Sequence, residues 1–143
     1  MDRFTDAQIA FILAQRVGRL ATADRSGRPH VIPVCYAHAG TSFYIALDAK
    51  PKRVASLRLK RVRNILDNPQ VALVIDRYSE DWSTLAYVLV HGTAALLPPG
   101  DAEHRQAVAL LRDRYPQYLE MPIQEQPIIA IRAAAVVAWG ALP

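Results

Sequence analysis

Residues 18–47, GRLATADRSGRPHVIPVCYAHAGTSFYIAL, contain three stretches with the composition of β-strands. These are residues 19–23, 30–36 and 42–47, and the residues between them supply turn chemistry such as Asp-Arg-Ser-Gly and Gly-Thr. Because the turns are short, the stretch predicts three consecutive antiparallel strands joined as a meander. Pro33 cannot donate a ladder hydrogen bond, so it predicts a sheet edge or a bulge in the second strand.

A helix precedes this stretch. Thr5 is a good N-cap, and Gln8 stands three residues later, which is the spacing of a capping box. Ile9, Ile12 and Leu13 then form the apolar stripe of an amphipathic helix.

A second helix follows the third strand and ends before Asn68-Pro69. Leu59, Val62, Ile65 and Leu66 recur at helical spacing. Steps of about 100° per residue place Lys60, Arg61 and Asn64 on the opposite face of this helix.

The rest of the chain predicts four more strands and one more helix. The strands are residues 71–75, 85–97 with a bulge near Gly92, 127–131 and 135–139; the helix is capped by Asp101 and ended by Pro116. Seven strands and three helices, with few helical crossovers, predict an α+β barrel in one domain spanning residues 1–143. A doubly wound parallel sheet is the less favoured alternative, because it needs a helix between nearly every pair of strands.

Composition narrows the class of protein. The chain has 143 residues, of which 52% are hydrophobic, and no run approaches the roughly 18 apolar residues of a membrane span. One cysteine, Cys35, rules out a disulfide framework and indicates a reducing, cytoplasmic compartment. The first residues lack the basic and apolar regions of a signal peptide.

The positive charge is concentrated in one short segment. The chain carries 17 basic and 13 acidic residues, a net charge of +4. Seven of the basic residues lie between Lys50 and Arg63, where there is no acid; the remaining 10 basic and 13 acidic residues leave the rest of the chain slightly negative. A solvated helix face is the ordinary interpretation of such a run. We favour an anion site, because no internal ion pair relieves the repulsion and the segment joins a strand to a helix.

Other kinds of site have little support. His30, Cys35 and His38 match no zinc spacing, and no metal site is predicted. The sequence lacks a Gly-x-Ser-x-Gly elbow, a Walker A loop and a Gly-x-Gly-x-x-Gly fingerprint. Trp82, in the polar loop after the fourth predicted strand, suggests a planar ligand or a subunit interface.

Several segments together resemble the FMN-binding split-barrel proteins related to pyridoxamine phosphate oxidase. They are GRLATA at residues 18–23, GRPHV at 27–31 with Pro33-Val34, KRVRNI at 60–65, NPQVAL at 68–73 and VHGTA at 90–94. The order and spacing of these segments, more than any one of them, carry the resemblance. The short length and the Asp81-Trp82 loop are most similar to the branch that uses the deazaflavin coenzyme F-420. The closing Arg motif of pyridoxamine phosphate oxidase itself is missing, which argues against that substrate.

The resemblance implies a Greek-key-like split barrel and a homodimer with the cofactor in a groove between two barrels. It implies that Lys60, Arg61 and Asn64 hold the cofactor phosphate, with a less certain role for Arg63. Ring contacts are expected at His30, Val31 and Pro33, and contacts to the phosphate or ribityl chain at residues 46–48, which include Ala46 and Asp48. An insertion at residues 51–57, ahead of the basic helix, adds Lys52 and Arg53 to the candidate anion site.

These observations leave three hypotheses. The first is an oxidoreductase that transfers a hydride from reduced F-420, or from FMN, to a small electron-poor organic acceptor, without nucleic acid or membrane partners. Its catalytic side chain is unknown; His30 is the one candidate proton donor, and solvent is the alternative. The second is a non-catalytic module that stores or senses FMN, haem or another tetrapyrrole in the same groove. The third is nucleic-acid binding by the basic segment, which lacks a recognised module.

Overall fold

The computed structural model describes residues 1–47 and 59–143. In chain order its helices are α1 (Asp6–Ala14), α2 (Lys60–Asp67) and α3 (Ala102–Arg114). Its strands are β1 (Gly18–Ala23), β2 (Pro29–Val34), β3 (Ala37–Ala39), β4 (Ser42–Ala46), β5 (Gln70–Arg77), β6 (Ala86–Leu97) and β7 (Ile128–Gly140). Short 3₁₀ turns span Trp82–Thr84, Pro116–Glu120 and Ile123–Glu125. No helix in these described ranges is long and apolar enough to cross a bilayer.

The strands form one antiparallel sheet whose two edges are brought together by the chain itself. The order is β2-β1-β5-β6-β7-β4-β3, so β2 and β3 are the outermost strands. Only Cys35 and Tyr36 separate them in sequence, and three steps of about 3.8 Å keep Val34 within about 11 Å of Ala37. The sheet must therefore curl until its edges meet. This confirms the predicted α+β split barrel, and it confirms the sheet edge predicted at Pro33.

The predicted meander is wrong after its second strand. β1 pairs with β2 as expected, but β4 pairs with β3 and β7, at the other end of the sheet. The reason is burial on both faces of β4: Phe43 and Ile45 enter one apolar cluster, whereas Tyr44 and Ala46 enter another. Because both faces of β4 are buried, its backbone N–H and C=O groups need a partner strand along each edge. β7 lies along one edge, and the three-residue strand β3, which the sequence did not predict, lies along the other.

Residues 128–140 form one strand instead of the two predicted at 127–131 and 135–139. β7 pairs with β6 along its length, but His91 faces Ala135 while Gly92 faces Ala133, so Ala134 is the extra residue of a bulge. The irregularity predicted near Gly92 occurs at this point of the ladder, but the extra residue lies on β7 and not on β6. A Cβ at Gly92 would lie 2.2 Å from the carbonyl oxygen of Arg132, so glycine is needed for the close approach.

Two apolar clusters hold the fold together. The larger fills the barrel and includes Phe11 and Ile12 of α1, whereas the smaller packs α3 against the outer side of β4 and β7. The capping box of Thr5 and Gln8 is confirmed. Leu13, predicted to belong to the apolar stripe, is 50% exposed instead.

Helix α2 is rotated relative to the prediction. Val62 and Ile65 are buried as expected, but Leu66 is 63% exposed. Asn64, predicted to face outward with Lys60 and Arg61, is only 1% exposed. Its amide is turned inward because it has a buried polar partner on β1, described below.

Candidate functional site

The first turn of α2 concentrates positive charge where a helix ordinarily avoids it. Leu59 is the N-cap and provides no side-chain hydrogen bond, and no acidic residue lies in the first turn. Lys60 and Arg61 therefore stand at the positive end of the helix dipole, where an anion is favoured and a cation is not. An anion at this end of the helix would be stabilised by the helix dipole and by the two cations.

One face of α2 is docked on the β1–β2 hairpin. The Asn64 amide donates to the hydroxyl of Thr22 over 3.0 Å, and both side chains are buried. Lys60 lies one helical turn before Asn64 on the same face of α2. Its Nζ is 3.9 Å from a carboxylate oxygen of Asp24 in the hairpin. Of these two predicted phosphate residues, Asn64 is thus hydrogen-bonded to the hairpin and Lys60 lies close to it.

The hairpin turn is organised by Asp24. Its carboxylate accepts hydrogen bonds from the backbone N–H groups of Ser26 and Arg28, each 2.9 Å long. The hydrogen bond from the Arg28 N–H lowers the pKa of Asp24 most. The hydrogen bond from the Ser26 N–H and the charge of Lys60 lower this pKa further. The carboxylate therefore stays ionised and keeps the hairpin turn in place.

A cavity of about 180 Å³ opens where the two edges of the barrel meet. Three predicted cofactor residues, Pro33, Ala46 and Arg61, line it together. The other lining residues are Val17, Val34, Cys35, Ile45 and Tyr118. Most of the side chains that line the cavity are apolar, and one guanidinium stands among them, which suits an anionic group beside an apolar one.

The remaining predicted residues lie at varying distances from this cavity. His30 is half-buried and faces Thr22 across the hairpin, and Val31 is 60% exposed opposite Ala21. Arg63 is exposed on α2. Asp48, Lys52 and Arg53 lie outside the described residues.

Trp82 is not close to α2 within one copy of the chain. It is 71% exposed in the turn that follows β5, whereas α2 precedes the other end of that strand. Eight residues at about 3.4 Å each place roughly 24 Å between these ends. The Trp82 loop is ordered by Asp81, whose carboxylate accepts from the side chain and the backbone of Ser83; these bonds lower its pKa.

Sequence reasoning missed part of the site. Tyr118 reaches the cavity from the 3₁₀ turn after α3, and no local pattern indicates this. Cys35, which the sequence analysis did not assign to the site, is half-exposed and lines the cavity. In the described parts of the chain, no three His, Cys, Asp or Glu side chains are grouped to hold a metal ion.

Comparison with known sequences relates nearly the whole chain to a known family and to a protein named as a reductase. The family described as pyridoxamine 5'-phosphate oxidase matches residues 4–140. A protein of Streptomyces rimosus named 5a,11a-dehydrotetracycline/5a,11a-dehydrooxytetracycline reductase is 30% identical over 138 residues, which cover 96% of this chain and 83% of the relative.

Solved structures share the fold at lower identity. The haem storage protein of Vibrio cholerae has a TM-score of 0.74 at 15% identity, covering 94% of each chain. An FAD-binding protein of Mesorhizobium loti has a TM-score of 0.70 at 22% identity, covering 91% of this chain and 87% of that one. At these identities the likeness concerns the fold alone.

Proposed function

Because this chain belongs to the pyridoxamine 5'-phosphate oxidase family, we propose that it is an oxidoreductase that binds a flavin or deazaflavin in the cavity beside Arg61. The observation that carries the proposal is the convergence of Pro33, Ala46 and Arg61 on that cavity. The relationship to a protein named as a reductase supports reduction of an organic acceptor as the reaction.

The residues present suit such a cofactor. Arg61 offers a planar set of donors to a phosphate oxygen, next to the positive end of α2. Pro33, Val34 and Ile45 supply apolar walls that exclude water from a ring. When bound in reduced form, the cofactor supplies the hydride, and the protein's part is to fix the ring and to balance the phosphate charge.

Coenzyme F-420 is the preferred cofactor and FMN the alternative. The preference is supported by charge beyond Arg61. Arg63 is exposed on α2, and Arg25 and Arg28 are exposed on the adjoining hairpin. A cofactor with a long anionic tail makes use of such a surface, whereas FMN ends at its phosphate. The proposed acceptor is a small electron-poor organic molecule, and the proposed compartment is the cytoplasm, which the single thiol supports.

A second copy of the chain is the proposed partner. Val74, Leu89 and Val137 lie side by side on β5, β6 and β7, and Val137 is 49% exposed. Trp139, stacked on Tyr87 with ring centroids 5.8 Å apart, extends this row and is 52% exposed. An exposed apolar face of this kind fits a self-complementary interface.

The interface has a direct test. Val137→Asp should convert the dimer to monomer in sedimentation, because it places a charge in the apolar row. Leu119→Asp is the matched control, since Leu119 is 65% exposed outside that face. Monomeric wild-type protein, or dissociation by both variants alike, would contradict the proposed interface.

A non-catalytic haem or tetrapyrrole module is the second candidate. The observation that favours it is the half-buried imidazole of His30, on the edge strand that also contributes Pro33 to the cavity. The shared fold with a haem storage protein makes the comparison worth testing. Haemin titration should then give a Soret shift that His30→Ala removes, without turnover of any acceptor.

The principal test uses the one cysteine of the chain as a reporter. Cys35 lines the cavity, so FMN or F-420 bound there should slow its reaction with a thiol reagent. Fluorescence titration with each cofactor should give the same dissociation constant as this protection. Binding that leaves the reactivity of Cys35 unchanged would place the cofactor elsewhere and refute the proposed site.

A further inference from the structure

One polar contact between α2 and the barrel is fully buried. Thr22 is 3% exposed and Asn64 is 1% exposed, and their hydrogen bond of 3.0 Å lies beside Val62 and Ile65, which are also buried. A buried amide or hydroxyl without a partner is unfavourable, so this bond strongly favours one rotation of the helix about its axis. Turning α2 by one residue, about 100°, would bring Ile65 or Arg63 to Thr22 in place of Asn64.

Two ion pairs between α2 and the hairpin are too weak to fix that rotation. Lys60 and Asp24 are 3.9 Å apart, and their side chains are 45% and 24% exposed. Arg25 and Asp67 are 3.2 Å apart, with side chains 82% and 44% exposed. Exposed ion pairs of this kind contribute little to the stability of the helix position, because water and salt screen their charges.

Rotation of α2 matters for Arg61, which lies three residues before Asn64 and therefore almost one turn away. A side-chain tip about 6 Å from the helix axis moves by about 2 Å when the helix turns by about 20°. A charge-assisted hydrogen bond of about 2.8 Å does not survive such a displacement. The position of the Arg61 guanidinium is thus coupled to the contact between Asn64 and Thr22.

We propose that Thr22 is a positioning residue for the cofactor-phosphate site, acting through Asn64 on α2 and thereby on Arg61. The inference rests on the proposed function, because it requires a cofactor phosphate at Arg61. In this proposal Asn64 fixes the rotation of α2 and thereby the position of Arg61. The sequence had instead predicted a direct contact between Asn64 and the phosphate.

The test compares FMN with riboflavin, which has the same ring and no phosphate. Thr22→Val keeps the shape of the side chain and removes its hydroxyl. It should weaken FMN binding about five- to tenfold and change riboflavin binding less than about twofold. Thr22→Ser keeps the hydroxyl and should bind FMN within about twofold of wild type. If F-420 is the tighter ligand, the same series is run with F-420 and with its deazaflavin core lacking the phosphodiester.

Two further variants separate positioning from loss of stability. Thr22→Val combined with Asn64→Leu removes both polar partners, so its melting temperature should return toward that of wild type while FMN binding stays weak. In an Arg61→Gln background, Thr22→Val should have no further effect on FMN binding, because both changes act on the same contact.

The outcomes distinguish this inference from the proposed function. An equal loss of FMN and riboflavin binding, or an undiminished effect of Thr22→Val in the Arg61→Gln background, would mean that Thr22 is only structural. FMN binding that Thr22→Val leaves unchanged would overturn the inference alone. A wild-type protein that binds neither FMN nor F-420 would overturn the proposed function and this inference with it.

Discussion

Arg114→Ala tests the contact that joins the C-terminal ends of α1 and α3. The Arg114 guanidinium donates to the backbone carbonyls of Leu13, at 3.1 Å, and Gln15, where the last turn of α1 leaves acceptors without helical partners. It also lies over the ring of Tyr36, 4.9 Å from the centroid. In return, Arg16 donates to the carbonyl of residue 114.

The expected loss follows from these contacts. The hydrogen bonds to the Leu13 and Gln15 carbonyls are worth about 1.5 kcal/mol each, and the contact with the Tyr36 ring about 0.5 kcal/mol. The longer bonds from Arg114 to the Ile12 carbonyl, at 3.5 Å, and to the Tyr115 hydroxyl, at 3.2 Å, add little. Arg114 is only half-buried, so water can replace part of these interactions in the variant. The expected loss in the free energy of unfolding is therefore about 2–3 kcal/mol. At roughly 3 °C per kcal/mol for a chain of this length, the melting temperature should fall by about 6–9 °C.

Urea unfolding followed by tryptophan fluorescence measures this loss, together with a thermal melt. Arg114→Lys keeps the charge but not the planar fork, so it should recover less than half of the loss. Arg105→Ala is the matched control on the same helix, because Arg105 donates only to the carbonyl of Gly100; it should change stability by less than about 0.5 kcal/mol. A loss below about 1 kcal/mol for Arg114→Ala, or an equal loss in the control, would mean that these contacts do not hold α1 and α3 together.

Two further predictions concern the sheet and its ion pairs. Gly92→Ala should cost about 3 kcal/mol in urea unfolding, because its Cβ would lie 2.2 Å from the carbonyl oxygen of Arg132; Gly100→Ala, with no atom within 4 Å but a φ of +87°, should cost about 1 kcal/mol, and equal losses would contradict the steric argument. Hydrogen bonds from Arg132 and then from Tyr44 hold the pKa of Glu103 at about 2. Because this pKa is depressed in the folded state, its contribution is present above about pH 4.5 and is lost as the pH falls toward 2. Glu103→Gln should therefore be about 1 kcal/mol less stable than wild type at pH 7 and equally stable near pH 2; a difference that does not change with pH would contradict this pKa.

Most individual elements could be predicted because their signals are local. The capping box of Thr5 and Gln8 and the edge position of Pro33 each follow from the chemistry of one or two side chains. Strand pairing could not be predicted in the same way. The partners of β4 are set by the burial of both its faces, which depends on α3 and β7 far along the chain.

The candidate site could be predicted only in part, for a related reason. The concentration of basic residues in the sequence predicted Arg61 as part of an anion site. In the structure Arg61 lines the cavity together with Pro33 and Ala46. Asn64 was misplaced because a helical projection treats every polar residue as solvent-facing, whereas Thr22 provides a buried partner. Tyr118 was missed because only the folded chain brings it to Arg61.

The proposed function requires the phosphate of a flavin or deazaflavin to bind at Arg61. The most direct measurement is the dissociation constant of FMN and of F-420 for wild type, Arg61→Glu and the control Arg3→Glu, an exposed arginine near the N-terminus. Loss of a charge-assisted contact of about 1.5–3 kcal/mol predicts that Arg61→Glu weakens the bound cofactor about 10- to 100-fold, while Arg3→Glu stays within about twofold. Unchanged affinity in Arg61→Glu, with the fold intact, would contradict the account.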